Sequence, residues 1–177
     1  MMLSTYLKNI MEKQFKELIE YSFDFDLENG KIYWKNVSKH HNRLNGKEAG
    51  MARKGKGDKY YWVIKLNGKA YKRSRLIYFY IHGRFPSPCI DHINGNSLDD
   101  RPSNLREATV TQNSWNHKGR KKKSDLPMGI RKQCNKYIAR ISYNKKQIII
   151  GSFDDIETAN AAYKNKRIEL YGNFCGY

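Results

Sequence analysis

Near the start of the chain, apolar residues recur at three- and four-residue steps: Leu3, Leu7, Ile10, Met11, Phe15, Leu18 and Ile19. That period predicts an amphipathic helix over about residues 3–21. Phe23-Asp24-Phe25-Asp26 follows, then the turn signal Glu28-Asn29-Gly30 and a short strand over 31–35. Residues 36–58 are rich in Gly, Lys, Asn and Arg and predict a mobile basic loop. Tyr60 to Leu66 and Ala70 to Ile77 flank Asn67-Gly68. Asn and Gly tolerate the positive φ angles of a type I′ turn, so these runs predict a β-hairpin. A further extended piece ends at Cys89-Ile90-Asp91, and Thr109-Val110-Thr111-Gln112 has the form of a capping box opening a short helix toward His117.

Lys118 to Pro127 has no periodicity and is bounded by Gly and Pro, which makes it the best domain boundary in the chain. Beyond it, residues 129–133, 136–143 and 146–153 alternate like strands. Asp154 or Asp155 can then cap a helix whose inward positions are expected to be Ile156, Ala159, Tyr163, Ile168 and Leu170, ending at Gly172. The expected class is α+β, divided into an N-terminal helix (1–22), a first domain (23–118), a basic linker (119–127) and a small module of three antiparallel strands and one helix (128–177).

Charge narrows the picture. The 177 residues carry 34 Lys and Arg against 17 Asp and Glu, a net +17. A small domain needs a net charge of only about 2–8 for solubility. The excess is spread along the chain: residues 1–117 hold 20 basic and 12 acidic side chains, and residues 118–177 hold 14 and 5. Such a surface calls for a polyanion, with nucleic acid the leading candidate. No apolar run approaches the roughly 18 residues of a membrane span, and the N-terminus does not have the form of a signal peptide. Three widely spaced cysteines, Cys89, Cys134 and Cys175, form no CxxC pair. They fit a reducing, cytoplasmic setting and argue against a thiolate zinc site.

The densest polar stretch runs from Asp91-His92-Ile93-Asn94-Gly95-Asn96 to Arg101-Pro102-Ser103-Asn104-Leu105-Arg106, with Asn113 following on the capped helix. Hydrolysis of a phosphodiester needs a base to activate water and a hard cation to stabilise the crowded phosphate. Asp91 offers a carboxylate and Asn113 a carbonyl, both oxygen donors suited to Mg²⁺, which keeps several of its waters. His92 alternates to the other side of the strand from Asp91, and a neutral imidazole is a suitable base near pH 7. An Asp-His pair alone is weak support, since most such pairs are surface or capping residues.

These residues, with Asn113-Ser114-Trp115-Asn116, resemble an HNH endonuclease of the branch found in phage and intron-encoded homing enzymes. The resemblance extends upstream through residues 23–34, 46–50 and 81–86. It implies a ββα-metal fold in which Asp91 and Asn113 bind one divalent ion, Mg²⁺ or alternatively Mn²⁺. It also implies that His92 is the general base and that Asn104 braces the loop through backbone hydrogen bonds. One departure stands out: Ser74-Arg75-Leu76 occupies what is expected to be a strand where relatives usually have His-Arg-Leu.

The C-terminal module, with Gly129-Ile130-Arg131, residues 137–141, Ile150-Gly151-Ser152-Phe153-Asp154 and Ala159 to Tyr163, resembles the APETALA-two/ethylene-response-factor DNA-binding domain. That family lays its sheet in the major groove of double-stranded DNA. By alternation, Arg131, Gln133, Ile138, Arg140, Ser142, Gln147 and Ile149 face outward, and Tyr137, Ala139 and Ile141 face the helix. Arg131 and Arg140 are the candidates for bidentate guanine contacts. Arg120, Lys121, Lys122 and Lys123 in the linker are candidates for phosphate contacts. Ile149 stands where the family has an aromatic contact.

His40-His41 sits in a polar loop without a nearby carboxylate partner, and His82 is expected to pack near the core. His117, one helical turn after Asn113, is a lesser candidate for the same ion or a phosphate. The sequence thus points to a metal-dependent endonuclease acting on double-stranded DNA. The alternative is a non-catalytic DNA-binding regulator, and an RNA-processing role is disfavoured because the sheet lacks paired stacking aromatics. Neither monomer nor homodimer is singled out.

Overall fold

The computed structural model describes residues 2–116 and 125–175, with side chains from residue 6 onward. The chain divides into two compact units, residues 1–110 and 111–177. Among the described residues no helix is long and apolar enough to cross a membrane.

The first unit is an α/β assembly of small antiparallel sheets. Helix α1 (Met2–Ser22) leads into β1 (Phe23–Asp26) and β2 (Lys31–Trp34), paired Phe23 to Trp34 through Asp26 to Lys31. Strands β3 (Met51–Lys54), β4 (Tyr60–Leu66) and β5 (Lys69–Lys72) form a second sheet in the order β3-β4-β5. Asn67 and Gly68 carry φ of +48° and +76° in the β4–β5 turn, the left-handed pair that a type I′ hairpin requires. Helix α2 (Arg73–His82) follows, and β6 (Cys89–His92) pairs with β7 (Leu105–Ala108) as a two-stranded sheet.

Three expectations are corrected here. The second arm of the β4–β5 hairpin ends at Lys72, and residues 73–82 are helical rather than extended. Ser74-Arg75-Leu76 therefore lies on a helix, with Ser74 and Leu76 buried. The apolar positions of this segment serve a helix because Leu76, Ile77 and Phe79 turn into the core while Arg75 and Tyr80 stay only half-buried. Residues 36–58 are more than a loop: they hold a short 3-10 turn (Lys39–Leu44), strand β3 and the fully buried Ala49, whose carbonyl accepts a 2.6 Å bond from Trp62 Nε1. His82 is exposed and lies against Tyr78, with ring centroids 4.1 Å apart, instead of packing in the core.

The core of this unit gathers Ile19, Phe23, Ile32, Ala49, Ile64, Leu66, Leu76, Ile77 and Phe79. Full burial of each large member contributes about 1.5–3 kcal/mol. The apolar stripe of α1 divides in two. Phe15, Leu18 and Ile19 pack on this core, whereas Tyr6, Leu7, Ile10 and Met11 stay exposed. Gly30 in the β1–β2 turn has φ +64°, and a Cβ there would lie 2.3 Å from the Arg101 nitrogen and 2.5 Å from the Asp100 carbonyl carbon. Only glycine allows the turn to sit against the 100–101 backbone.

In the second unit, α3 (Val110–Trp115, entering from the first unit at Val110) precedes β8 (Ile130–Gln133), β9 (Lys136–Tyr143) and β10 (Lys146–Phe153), in sheet order β10-β9-β8. Helix α4 (Ile156–Tyr171) covers one face of the sheet and is capped by Asp155, whose Oδ1 accepts the Thr158 N–H at 2.7 Å. The core is Ile130, Ala139, Ile141, Ala159 and Tyr163. Ile168, expected inward, is 46% exposed, and the neighbouring Arg167 is buried in its place. Arg167 donates to the Trp115 carbonyl at 2.8 Å, and Trp115 stacks on Tyr171 with centroids 4.8 Å apart. A polar anchor thus decides which side of α4 faces in.

Candidate active site

The site is built on the β6–β7 hairpin. Asp91 pairs with Arg106 and His92 with Leu105 across the ladder. Strand alternation sends adjacent side chains to opposite faces, and the two side chains find different partners accordingly. The Asp91 carboxylate, 3% exposed, accepts at Oδ2 from Arg106 Nε at 2.8 Å and Nη2 at 2.6 Å. His92 Nε2 lies 2.8 Å from Oδ1 of Asp100. Asp100 is 2% exposed, and its Oδ2 accepts from Arg73 Nε at 2.8 Å. The Arg73 guanidinium, from the first residue of α2, also donates to Glu48 Oε1 at 2.6 Å and the Leu98 carbonyl at 3.0 Å, with its carbon 4.7 Å from the Trp62 ring.

Burying so many ionised groups is costly unless every one is paired. No buried side-chain nitrogen or oxygen among the described residues is left without a hydrogen-bond partner. In the first unit Arg73 joins Glu48 and Asp100 in two connected ion pairs, and Asp91 pairs with Arg106.

The loop from 93 to 104 is tied in place by its own polar side chains. Asn104, buried, accepts the Asn94 N–H at Oδ1 (2.9 Å) and donates from Nδ2 to the Asp99 carbonyl (2.7 Å), while its backbone carbonyl accepts the Ile93 N–H (2.9 Å). Asn94 donates to Asp99 Oδ2 at 2.8 Å, and Gly95, with φ +73°, returns its N–H to the His92 carbonyl. Ser97 Oγ donates to the Tyr60 carbonyl at 2.6 Å, fixing the loop to the start of β4. The Arg101 guanidinium, followed by the Asn94 amide, holds the Asp99 carboxyl at a pKa of about 2 against the opposing effect of burial. At the far end of β7, Arg84 and then the Ser87 N–H bring Glu107 down to about 2. Partial burial lowers the Lys59 ammonium, with the negative charge of Asp91 acting in the other direction.

The structure thus gathers Asp91, His92 and Asn104 in one hairpin and its loop. Asn113 is half-buried on α3, in the second unit. The sheet candidates Arg131, Gln133, Ser142 and Gln147 are exposed and Arg140 half-buried; Gln147 pairs with Ser142 and Ile149 with Arg140 on the face opposite Ala139 and Ile141. Arg120, Lys121, Lys122, Lys123 and His117 lie outside the described residues. His41 is exposed and 3.3 Å from Ser38 Oγ. Asp100, Arg73 and Glu48 were not singled out from the sequence. Asp100 was one of two adjacent aspartates in the loop, and the other two lie at least 18 residues upstream of Asp91.

No group of three His, Cys, Asp or Glu side chains among the described residues forms a metal cluster. A hard divalent ion needs only one or two protein oxygens and keeps its waters. The buried Asp91 carboxylate, held by a cation at one oxygen, fits such an ion in donor type and charge.

Residues 71–115 match the family model described as HNH endonuclease. Over 126 residues the chain is 34% identical to an uncharacterized HNH endonuclease of Acanthamoeba polyphaga mimivirus, covering 66% of this chain and 65% of that protein. Over 90 residues it is 34% identical to Protein 3.8 of Escherichia phage T7, covering 50% of this chain and 74% of the phage protein. No solved structure matches the chain. The chain carries an HNH endonuclease domain with viral homologues. The chain belongs to one family with Protein 3.8 of Escherichia phage T7.

Proposed function

We propose that the chain is a metal-dependent, homing-type endonuclease that hydrolyses a phosphodiester bond in double-stranded DNA. In this reading residues 23–118 form a ββα-metal nuclease domain, residues 119–127 a basic linker and residues 128–177 an APETALA-two/ethylene-response-factor-like DNA reader. The observation that carries it is the buried Asp91–His92 pair at the end of β6, beside a loop that Asn104 ties at both ends.

His92 takes the proton from the attacking water, whose oxygen bonds to phosphorus as the bond to the 3′ oxygen breaks. The products are a 5′-phosphate and, after protonation of the leaving oxygen, a 3′-hydroxyl. Asp91 and Asn113 are the residues that would hold a divalent ion, which when bound supplies charge stabilisation at the phosphate and the leaving oxygen. Arg106 orients the Asp91 carboxylate through Oδ2. Asn104 keeps the loop beside His92 from fraying. On the C-terminal sheet, Arg131 and Arg140 read base edges, and Gln133, Ser142 and Gln147 line the same face. Arg120, Lys121, Lys122 and Lys123 grip phosphates.

Supercoiled plasmid incubated with the wild-type protein and with His92→Ala, in Mg²⁺ or Mn²⁺ and in EDTA, tests this reading. Nicking or linearisation that requires both the metal and His92 supports it. Salt-sensitive DNA binding without cutting, on DNA containing the protein's own target, replaces it with the non-catalytic regulator.

A further inference from the structure

We propose that the cavity lined by the end of α1, the 34–44 segment and the β4–β5 turn is a binding site for one unstacked nucleotide of a DNA strand. The cavity is separate from the Asp91–His92 site, and only the choice of DNA as the strand rests on the proposed function.

The cavity has a volume of 580 Å³, inside the range of about 300–1,000 Å³ usual for small-molecule sites. Leu18, Trp34, Leu44 and Leu66 give it an apolar wall, and the exposed Tyr21 adds a second aromatic ring to the lining. Lys35, Lys65 and His41 also line it, and none of its lining residues is acidic. Lys35 lies 3.1 Å from Asp24, whereas Lys65 is exposed and makes no ion pair among the described residues.

Backbone and amide bonds hold this lining in shape. The Lys35 N–H donates to the Ser22 carbonyl at 2.8 Å, which joins the end of β2 to the end of α1. Asn36, with φ +50°, donates from Nδ2 to the Tyr21 carbonyl at 2.9 Å, and Asn45 Oδ1 accepts the Val37 N–H at 3.1 Å. Asparagine tolerates that left-handed backbone, so the chain can turn at 36 and present residues from both sides of the turn.

A ligand that suits this lining has a flat apolar body and a negative charge, which describes a nucleobase carried on its phosphate. Aromatic side chains stack on bases of any sequence, and nearby cations follow the backbone. A paired base shows only its edges, so the base that enters must be unpaired or turned out of the helix. The net charge of +17 draws a strand to the whole protein without choosing a place on it; the apolar and aromatic wall makes the choice. Strand β4 runs from Tyr60, whose carbonyl accepts the Ser97 hydroxyl of the site loop, to Leu66 in the cavity wall. The cavity and that loop therefore sit at opposite ends of β4, roughly 20 Å apart along the strand.

The experiment follows the indole N–H resonances of Trp34, Trp62 and Trp115 in the full-length protein, with EDTA present so that no strand is cut. The titrants are pentadeoxyuridylate, pentauridylate, deoxyuridine 5′-phosphate and inorganic phosphate. Pentadeoxyuridylate is expected to move the Trp34 resonance saturably, deoxyuridine 5′-phosphate to do so more weakly, and inorganic phosphate to leave it in place. Tyr21→Ala and Lys65→Glu, both at exposed positions, should each raise the midpoint roughly 10-fold. Tyr6→Ala, exposed on α1 but outside the cavity, should leave it unchanged. A Trp34 resonance that stays still in wild type overturns the inference, whatever the variants do. So does an equal response to inorganic phosphate, or an unchanged midpoint in either folded variant. Tighter binding of the mononucleotide would make a free nucleotide the occupant, and tighter binding of pentauridylate would make it RNA; either result overturns the assignment to a DNA strand. A protein that holds the strand at Trp34 yet cuts no DNA when metal is supplied keeps this site and loses the nuclease reading.

Discussion

The β6–β7 hairpin and the β8–β10 sheet are both small antiparallel structures rich in polar residues, yet they treat those residues in opposite ways. In the hairpin and its loop, Asp91, His92, Asp100 and Asn104 are all less than a tenth exposed, and their partners are protein groups. On the outer face of the sheet, Arg131, Gln133, Ser142 and Gln147 are exposed, and Ile149 is 72% exposed beside Arg140. A group that must act at one atom gains from being held in a single geometry before the substrate arrives. A group that must test many base edges gains from staying solvated until the right one is present. The contrast is the one that a division between cutting and reading would require.

That contrast can be broken at several points. The largest effect is expected at His92: His92→Ala should lower cleavage by roughly 10²–10⁴-fold in a plasmid assay while DNA binding persists. On the sheet, Arg131→Ala and Arg140→Ala should each weaken binding to the cognate site by about 1–3 kcal/mol and relax base preference at one position, read by fluorescence anisotropy on a panel of single-base variants. An equal loss on every sequence would make them phosphate contacts instead. Asn104→Ala removes two buried side-chain hydrogen bonds and should destabilise the first unit by about 1–3 kcal/mol in urea unfolding, a cost that a reading face would not show.

The smallest effect concerns acid. Asp99 and Glu107 are held at about 2, below their unfolded values near 4. A carboxyl with a depressed folded-state pKa adds stability above its unfolded pKa, and that contribution is lost as pH falls through the folded value. Thermal midpoints should therefore drop between about pH 4.5 and pH 2, and Asp99→Asn should flatten part of that slope. An unchanged slope would mean that the Arg101 and Asn94 contacts do not hold Asp99 in solution.

What the sequence made legible follows from how local each signal is. Asn67-Gly68 announces a hairpin because two residues alone satisfy the turn, and Asp154-Asp155 announces a cap for the same reason, with Asp155 the one that makes the bond. The segment 73–82 is dense in apolar and aromatic side chains, and such a run fits a strand as well as a buried helix until its packing is known. Strand β3 is exposed along its length, so no apolar alternation marks it; its pairing with β4 defines it. For the site, Asp91 and His92 stand next to one another and were visible as a pair. The partners that fix them were not, because Asp100, Arg73 and Glu48 come together only through a turn of α2 and the path of the 93–104 loop. Ile168 and Arg167 show the same limit in miniature: the apolar pattern favoured one, and a backbone carbonyl on α3 selected the other.

The contact between Gly30 and the backbone at 100–101 bears on how much of this protein could be moved elsewhere. The segment matched by the family model, 71–115, carries Asp91, His92, Asp100 and Arg73, but neither Gly30 nor Glu48. A graft of that segment alone into another scaffold would transplant these four side chains without the abutment behind the loop or the carboxylate behind Arg73. The smallest portable unit begins instead at β1, and a chimera that starts there should keep the His92 ring aligned where a shorter one lets it swing.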